Sequence, residues 1–177
     1  PWCLWDQTGA RSLNLSPRRL HHLVLIVDAQ KKEVSSRQAH QRVSTSLLFE
    51  GRSQRAQRRL QELTQALQTH NWQRAYQVCW QEFWDMHALF ETAQPPFSYI
   101  NSRSMEALRW IQSAWAKNHD GPLVTMDAGA NVHFLYRPDQ EAMAFNQSHQ
   151  LRRFGKVLSS LSDAPLMSCH FGGDVQA

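Results

Sequence analysis

The chain has 177 residues, of which 42% are hydrophobic and 19% charged, with a formal net charge of +4. That suits one domain with a buried core, or one half of a two-domain enzyme, and excludes wholesale disorder. No apolar run approaches the ~20 residues that span a bilayer, and no charged-then-apolar leader opens the chain. Cys3, Cys79 and Cys169 are too widely spaced for a disulfide scaffold, which points to a reducing, cytoplasmic setting. Seven glycines form neither G-x-G-x-x-G nor G-x-x-x-x-G-K, so the chain shows no loop for cradling nucleotide phosphates.

In chain order, residues 1–5 read as a short strand closed by a turn at Asp6-Gln7-Thr8-Gly9, and residues 10–20 as a polar loop containing Pro17. The apolar run from Leu23 to Asp28 has the length of a strand buried on both faces. Ser35 with Gln38 three residues on forms a capping-box pattern, so a helix is expected to start at the Ser35-Ser36 pair. Ala56, Leu60, Leu63 and Leu67 recur at helical spacing over residues 52–69. A second long helix over 71–91 places Trp72, Tyr76, Cys79, Phe83, Met86 and Phe90 on one face before Pro95-Pro96 stops it. A third covers 102–119. Two strands, 123–126 and 132–136, flank the polar loop Asp127-Ala128-Gly129-Ala130-Asn131; a last helix over 139–158 leads to a final strand at 166–169. Strands followed by helices, then a hairpin and a helix, predict an α+β fold.

Four features bear on function. Arg52, Arg55, Arg58 and Arg59 share a helical face, which could neutralise a nucleic-acid backbone. With no aromatic interleaved, a solvated surface face is the better account of the stripe. The nine histidines show no H-E-x-x-H, so no metal site is expected, and His87 within an aromatic helix reads as structural. Trp72, Trp80, Trp84, Trp110 and Trp115 lie on helices and read as packing. At two loops, polar groups converge. The Ser35 and Ser36 hydroxyls, the Arg37 guanidinium and a helix start could hold a phosphate or carboxylate, although a capped helix explains the serines alone. Asp127 could present a carboxylate at a strand end, although a hairpin turn explains it alone.

Taken together, these segments resemble the mevalonate diphosphate decarboxylases of the GHMP kinase superfamily. The resemblance rests on Val24-Leu-Ile-Val-Asp-Ala-Gln-Lys-Lys-Glu-Val-Ser-Ser-Arg37, on His87-Ala88, on Pro95-Pro-Phe-Ser-Tyr-Ile-Asn101, and on Thr125-Met-Asp-Ala-Gly-Ala-Asn131, in that order. It implies a GHMP kinase C-terminal-type domain, an antiparallel sheet packed against a layer of helices. Residues 1–177 would then form one domain whose N-terminal ATP-binding partner half lies outside this chain. The implied reaction is ATP- and Mg2+-dependent: phosphorylation of the tertiary 3-hydroxyl of mevalonate 5-diphosphate, then loss of phosphate and CO2 to give isopentenyl diphosphate. Asp127 matches the family's catalytic aspartate; Ser36 and Arg37, with Ser35 alongside, match positions that hold the substrate's anionic groups. A homodimer is a family expectation.

The chain departs from the family pattern at Ala39-His40, where Gly-Met is usual, at Ala130, where proline is usual, and over 80–86, which lacks an Asp-Ser-Asn run. Related mevalonate 3-kinases and phosphomevalonate decarboxylases share the scaffold and stand as the alternative, with a nucleic-acid module on the arginine stripe behind them.

Overall fold

The chain opens on a hairpin. In the computed structural model, which describes residues 2–6, 9–17, 19–28 and 34–161, β1 (Trp2–Asp6) pairs antiparallel with β2 (Gly9–Leu13), Trp2 opposite Leu13. The loop expected over 10–20 therefore starts later. The second strand is almost wholly exposed, so it has no hydrophobic alternation to betray it, and only pairing with β1 makes it a strand.

The main sheet has the order β4-β5-β3-β6, antiparallel throughout, formed by β3 (His21–Ile26), β4 (Leu123–Met126), β5 (Val132–Tyr136) and β6 (Lys156–Ser159). The apolar run in β3 is buried on one face rather than two. Leu23, Leu25 and Val27 are buried, while His22, Val24 and Ile26 between them are only partly covered. An antiparallel sheet needs just one face packed on the core.

That face meets α2 (Arg52–Gln68), α3 (Trp72–Glu91), α4 (Ser102–Asn118) and α5 (Glu141–Leu151). Phe83, Leu108 and Ile111 from the helices pack with Leu23, Val124, Phe134 and Tyr136 from the sheet. Asn71 and Asn101 cap α3 and α4 by accepting from the backbone of Arg74 and Ser104, the role short amide side chains favour. The tryptophans pack as expected. The Trp72 and Trp115 indoles also donate to the carbonyls of Gly121 and Pro122 at 2.7 and 2.8 Å, clamping the entry to β4. A Cβ on Gly121 would lie 2.6 Å from the Trp115 ring nitrogen, so this close approach excludes a side chain.

The last helix is shorter than the expected 139–158. A 3-10 turn (Pro138–Gln140) precedes α5, and after Leu151 the chain turns through Gly155 into β6. A Cβ on Gly155 would stand 2.3 Å from the Ile26 carbonyl. The final strand expected at 166–169 lies outside the described residues. No described helix is long and apolar enough to cross a membrane.

The arginine stripe is not a solvated face. Arg52 and Arg55 fall in the first turn of α2, where positive charge opposes the helix dipole, and Glu82 and Asp85 of α3 face them. Arg55 lies 3.1 Å from Asp85, and Arg59 lies 2.7 Å from Asp85 and 3.0 Å from Glu82; Arg52 also pairs with Glu82. Arg58 is the exposed member, loosely facing Glu62. Burial alone would push the Asp85 carboxyl up, but Arg55 and Arg59 hold it below the usual carboxylate range. The stripe's charge is matched inside the fold, which removes the observation behind a nucleic-acid reading.

Candidate active site

The candidate site lies where α1 (Ser36–Arg42), α3 and the β4–β5 loop pack on one cluster, with Val27, just past the end of β3, bonded to the same loop. At α1, Ser35 closes the expected capping box: its Oγ accepts from the Gln38 backbone at 3.3 Å, and its own N–H donates to Gln38 Oε1 at 2.9 Å. Its hydroxyl also lies 2.9 Å from Gln38 Oε1, so the same side chain starts the helix and stands exposed beside Ser36. Ser36 and Arg37 are exposed and have no partner among the described residues.

The Asp127 loop is fixed at several points. The Asp127 carbonyl accepts from the Gly129 N–H at 2.8 Å and lies 3.1 Å from His87 Nε2. Ser104 Oγ donates to the Ala130 carbonyl at 2.7 Å, and the Val27 N–H donates to Asn131 Oδ1 at 3.2 Å. The loop is therefore tied to α3, α4 and β3 while Asp127 itself stays exposed.

Asp127 makes no described contact with Ser36 or Arg37. What joins them is a small buried cluster of Ala39, Phe90 and Tyr99, against which both Val34, just before the serine pair, and Ala128, just after the aspartate, are packed. The Tyr99 hydroxyl donates to the Val34 carbonyl at 2.7 Å. His87 meets Phe90 and Tyr99 edge-to-face, with ring centroids 5.3 and 6.5 Å apart. One aromatic platform therefore seats the entry to α1 and the Asp127 loop together. Burial raises the Tyr99 phenol; Arg42 opposes that shift and the Asp127 charge adds to it.

His87 is buried, as expected of a structural histidine, but its place under Asp127 was not read from its helix. The signal lay in the motif set, since His87, Tyr99 and Asn101 all belong to the segments that carried the resemblance. Burial holds the His87 imidazole below the usual histidine range, opposed by its bond to Asp127 and by the negative charges of Glu91 and Asp127. Among the described residues no cluster of three or more His, Cys, Asp or Glu side chains could hold a metal ion. Cys79 is no nucleophile: burial, and then the charge of Glu82, push its thiol up to about 12.

Comparison with known proteins bears on the family and the fold. Residues 22–161 match the model of the mevalonate 5-diphosphate decarboxylase C-terminal domain. The chain is similar to a mevalonate diphosphate decarboxylase from Legionella pneumophila, with 43% identity and a TM-score of 0.85, over 89% of this chain and 50% of that one. A mevalonate pyrophosphate decarboxylase from Streptococcus pyogenes shows 26% identity and a TM-score of 0.74, over 89% and 49%. MDDEF, solved in complex with MVAPP, AMPPCP and magnesium, shows 25% identity and a TM-score of 0.73, over 85% and 47%. The chain thus spans about half the length of the solved proteins it matches. No curated protein matches it.

Proposed function

We propose that this chain, which belongs to the mevalonate 5-diphosphate decarboxylase C-terminal domain family, supplies the substrate-holding and aspartate-bearing half of an ATP-dependent mevalonate 5-diphosphate decarboxylase. The observation that carries the reading is the shared platform beneath Asp127 and the Ser36-Arg37 pair. Val34, two residues before Ser36, and Ala128, next to Asp127, pack on that one cluster, which supports a reading in which both loops serve one anionic substrate with a reacting hydroxyl.

In this reading Arg37 and Ser36 hold the substrate's anionic groups by charge-assisted hydrogen bonds. Asp127 accepts, or orients, the proton of the tertiary hydroxyl, because phosphoryl transfer depends on a positioned nucleophile more than on covalent help. ATP with Mg2+ supplies the phosphoryl group; the residues described here offer no glycine-rich loop and no metal cluster, so their binding is assigned to an N-terminal GHMP-type half of the same protein. A cytoplasmic location and a homodimer belong to the same reading.

Asp127→Asn in the complete enzyme tests it. The amide keeps the shape of the side chain but loses its charge. We expect kcat to fall at least about a hundredfold, with KM little changed and the melting temperature unaltered. Near-normal kcat would reduce Asp127 to a turn residue. Release of ADP without CO2 from the wild-type enzyme would instead place it with the kinases that stop after phosphorylation.

A further inference from the structure

The carbonyl of Asp127 has two partners of different kinds. The Gly129 N–H lies two residues away in the same loop, so that bond shapes the turn but moves with it. His87 lies 40 residues earlier, on α3, so its bond ties the loop to the helical layer. The loop's other tertiary ties, from Ser104 to Ala130 and from Val27 to Asn131, secure its far end. Among the described hydrogen bonds, only the one to His87 ties Asp127 itself to a residue outside its loop.

The chemistry of that contact dictates the state of the ring. A carbonyl oxygen only accepts, so Nε2 must carry the hydrogen. The other nitrogen, Nδ1, is buried with no hydrogen-bond partner among the described residues, and Phe83, Phe90 and Tyr99 meet the imidazole edge-to-face. A second proton there would be a buried donor with no acceptor, which is costly. The ring is therefore neutral, with its single hydrogen aimed at Asp127.

We infer that His87 is a positioning residue: a neutral imidazole whose Nε2–H fixes the backbone of Asp127 and thereby the direction of its carboxylate. This rests on the proposed role of Asp127. A loop residue is placed less accurately than one within a helix or strand, and functional groups need support from a locked neighbour. Displacement of about 1 Å can cost about a hundredfold in rate.

The test uses the complete enzyme with His87→Leu, which keeps apolar bulk and removes the donor, and His87→Gln, whose amide can donate from nearly the same place and cannot become charged. Expected for His87→Leu is a kcat loss of roughly tenfold to a hundredfold with KM within about threefold. His87→Gln should recover kcat to within about threefold of wild type. Leucine within about twofold of wild type, or a folded glutamine variant no better than leucine, would overturn the inference. Nitrogen-15 NMR of the wild-type imidazole at neutral pH gives a readout independent of turnover and of variant folding: the neutral Nε2–H tautomer is expected, and an Nδ1–H or doubly protonated ring refutes it. A wild-type enzyme that releases no CO2 would count against the proposed function, while the tautomer would still decide the tie.

Discussion

At the scale of single residues, the site is built on side chains whose polar ends hold backbone rather than ligand. Tyr99 shows this. It is 9% exposed, sits in the platform through its ring, and spends its hydroxyl on the Val34 carbonyl, one residue before the cap of α1. Tyr99→Phe keeps the ring and deletes that bond. A loss of about 1 kcal/mol in stability is expected from one hydrogen bond. In the complete enzyme KM for the diphosphate should rise several-fold, with kcat changed less, because the groups affected are those that hold the anion. An unchanged KM would show that the start of α1 stands without Tyr99. Ser35 closes the capping box that its spacing to Gln38 predicted, its hydroxyl accepting from the Gln38 backbone.

At the scale of elements, the α2–α3 pair is joined by apolar contact and by ion pairs in the same interface. Asp85 is approached by Arg52, Arg55 and Arg59, and its side chain is 13% exposed. Its removal would leave guanidinium groups beside the first turns of α2 with half of their compensation gone. Asp85→Ala should therefore destabilise the chain by about 2 kcal/mol, whereas Arg58→Ala, an exposed residue with a long contact to Glu62, should cost no more than a few tenths. Urea midpoints of the two variants check this, and equal effects would mean that the network is not coupled. The stripe's i, i+3 and i, i+4 pattern placed Arg52, Arg55 and Arg59 on one face, with Arg58 turned out beside Glu62. What faced them could not be read, because Glu82 and Asp85 are 30 residues away from Arg52 and Arg55 and become neighbours only when two helices pack.

At the scale of the whole molecule, acid should weaken the fold in two stages. His87 and His22 are both held below the usual histidine range by burial, His22 further by His133 beside it. Above pH ~7 these rings are neutral whether the chain is folded or not, and they contribute nothing to the pH dependence. As pH falls below the unfolded value near 6.5, the unfolded chain takes up protons first, so stability drops. Asp85, Asp120 and Asp139 are held below the usual carboxylate range; burial opposes this in each case, and the bonded arginines prevail. Their contribution is present above about pH 4 and is lost as pH falls through the folded values. Melting temperatures should step down below about pH 6.5 and again below about pH 4, and His87→Gln should shrink the first step. A flat profile from pH 7 to 5 contradicts this. We also expect residues 1–177 alone to release no CO2 from mevalonate diphosphate. Turnover by this chain without another polypeptide would show that the division of labour is misread.

Local signals were sufficient where an element's face is buried against something regular. The apolar spacing of α2 and α3, the capping box at Ser35, and the apolar runs flanking the Asp127 loop placed those elements to within a residue or two, because helix and strand periods write themselves directly into which positions are apolar. The ordered motifs likewise pointed to the family, and they are the source of the proposed roles of Asp127, Ser36 and Arg37. β2 and β6 were lost because neither has a fully buried face, and β6 also takes its pairing from β3, far along the chain. Only the tertiary structure decided that β3 is covered on one side, that the arginines are matched by Glu82 and Asp85, and that His87 stands beneath Asp127. Each of those depends on a contact between residues distant in sequence, and a single residue's neighbours along the chain carry no record of what packing will bring against it.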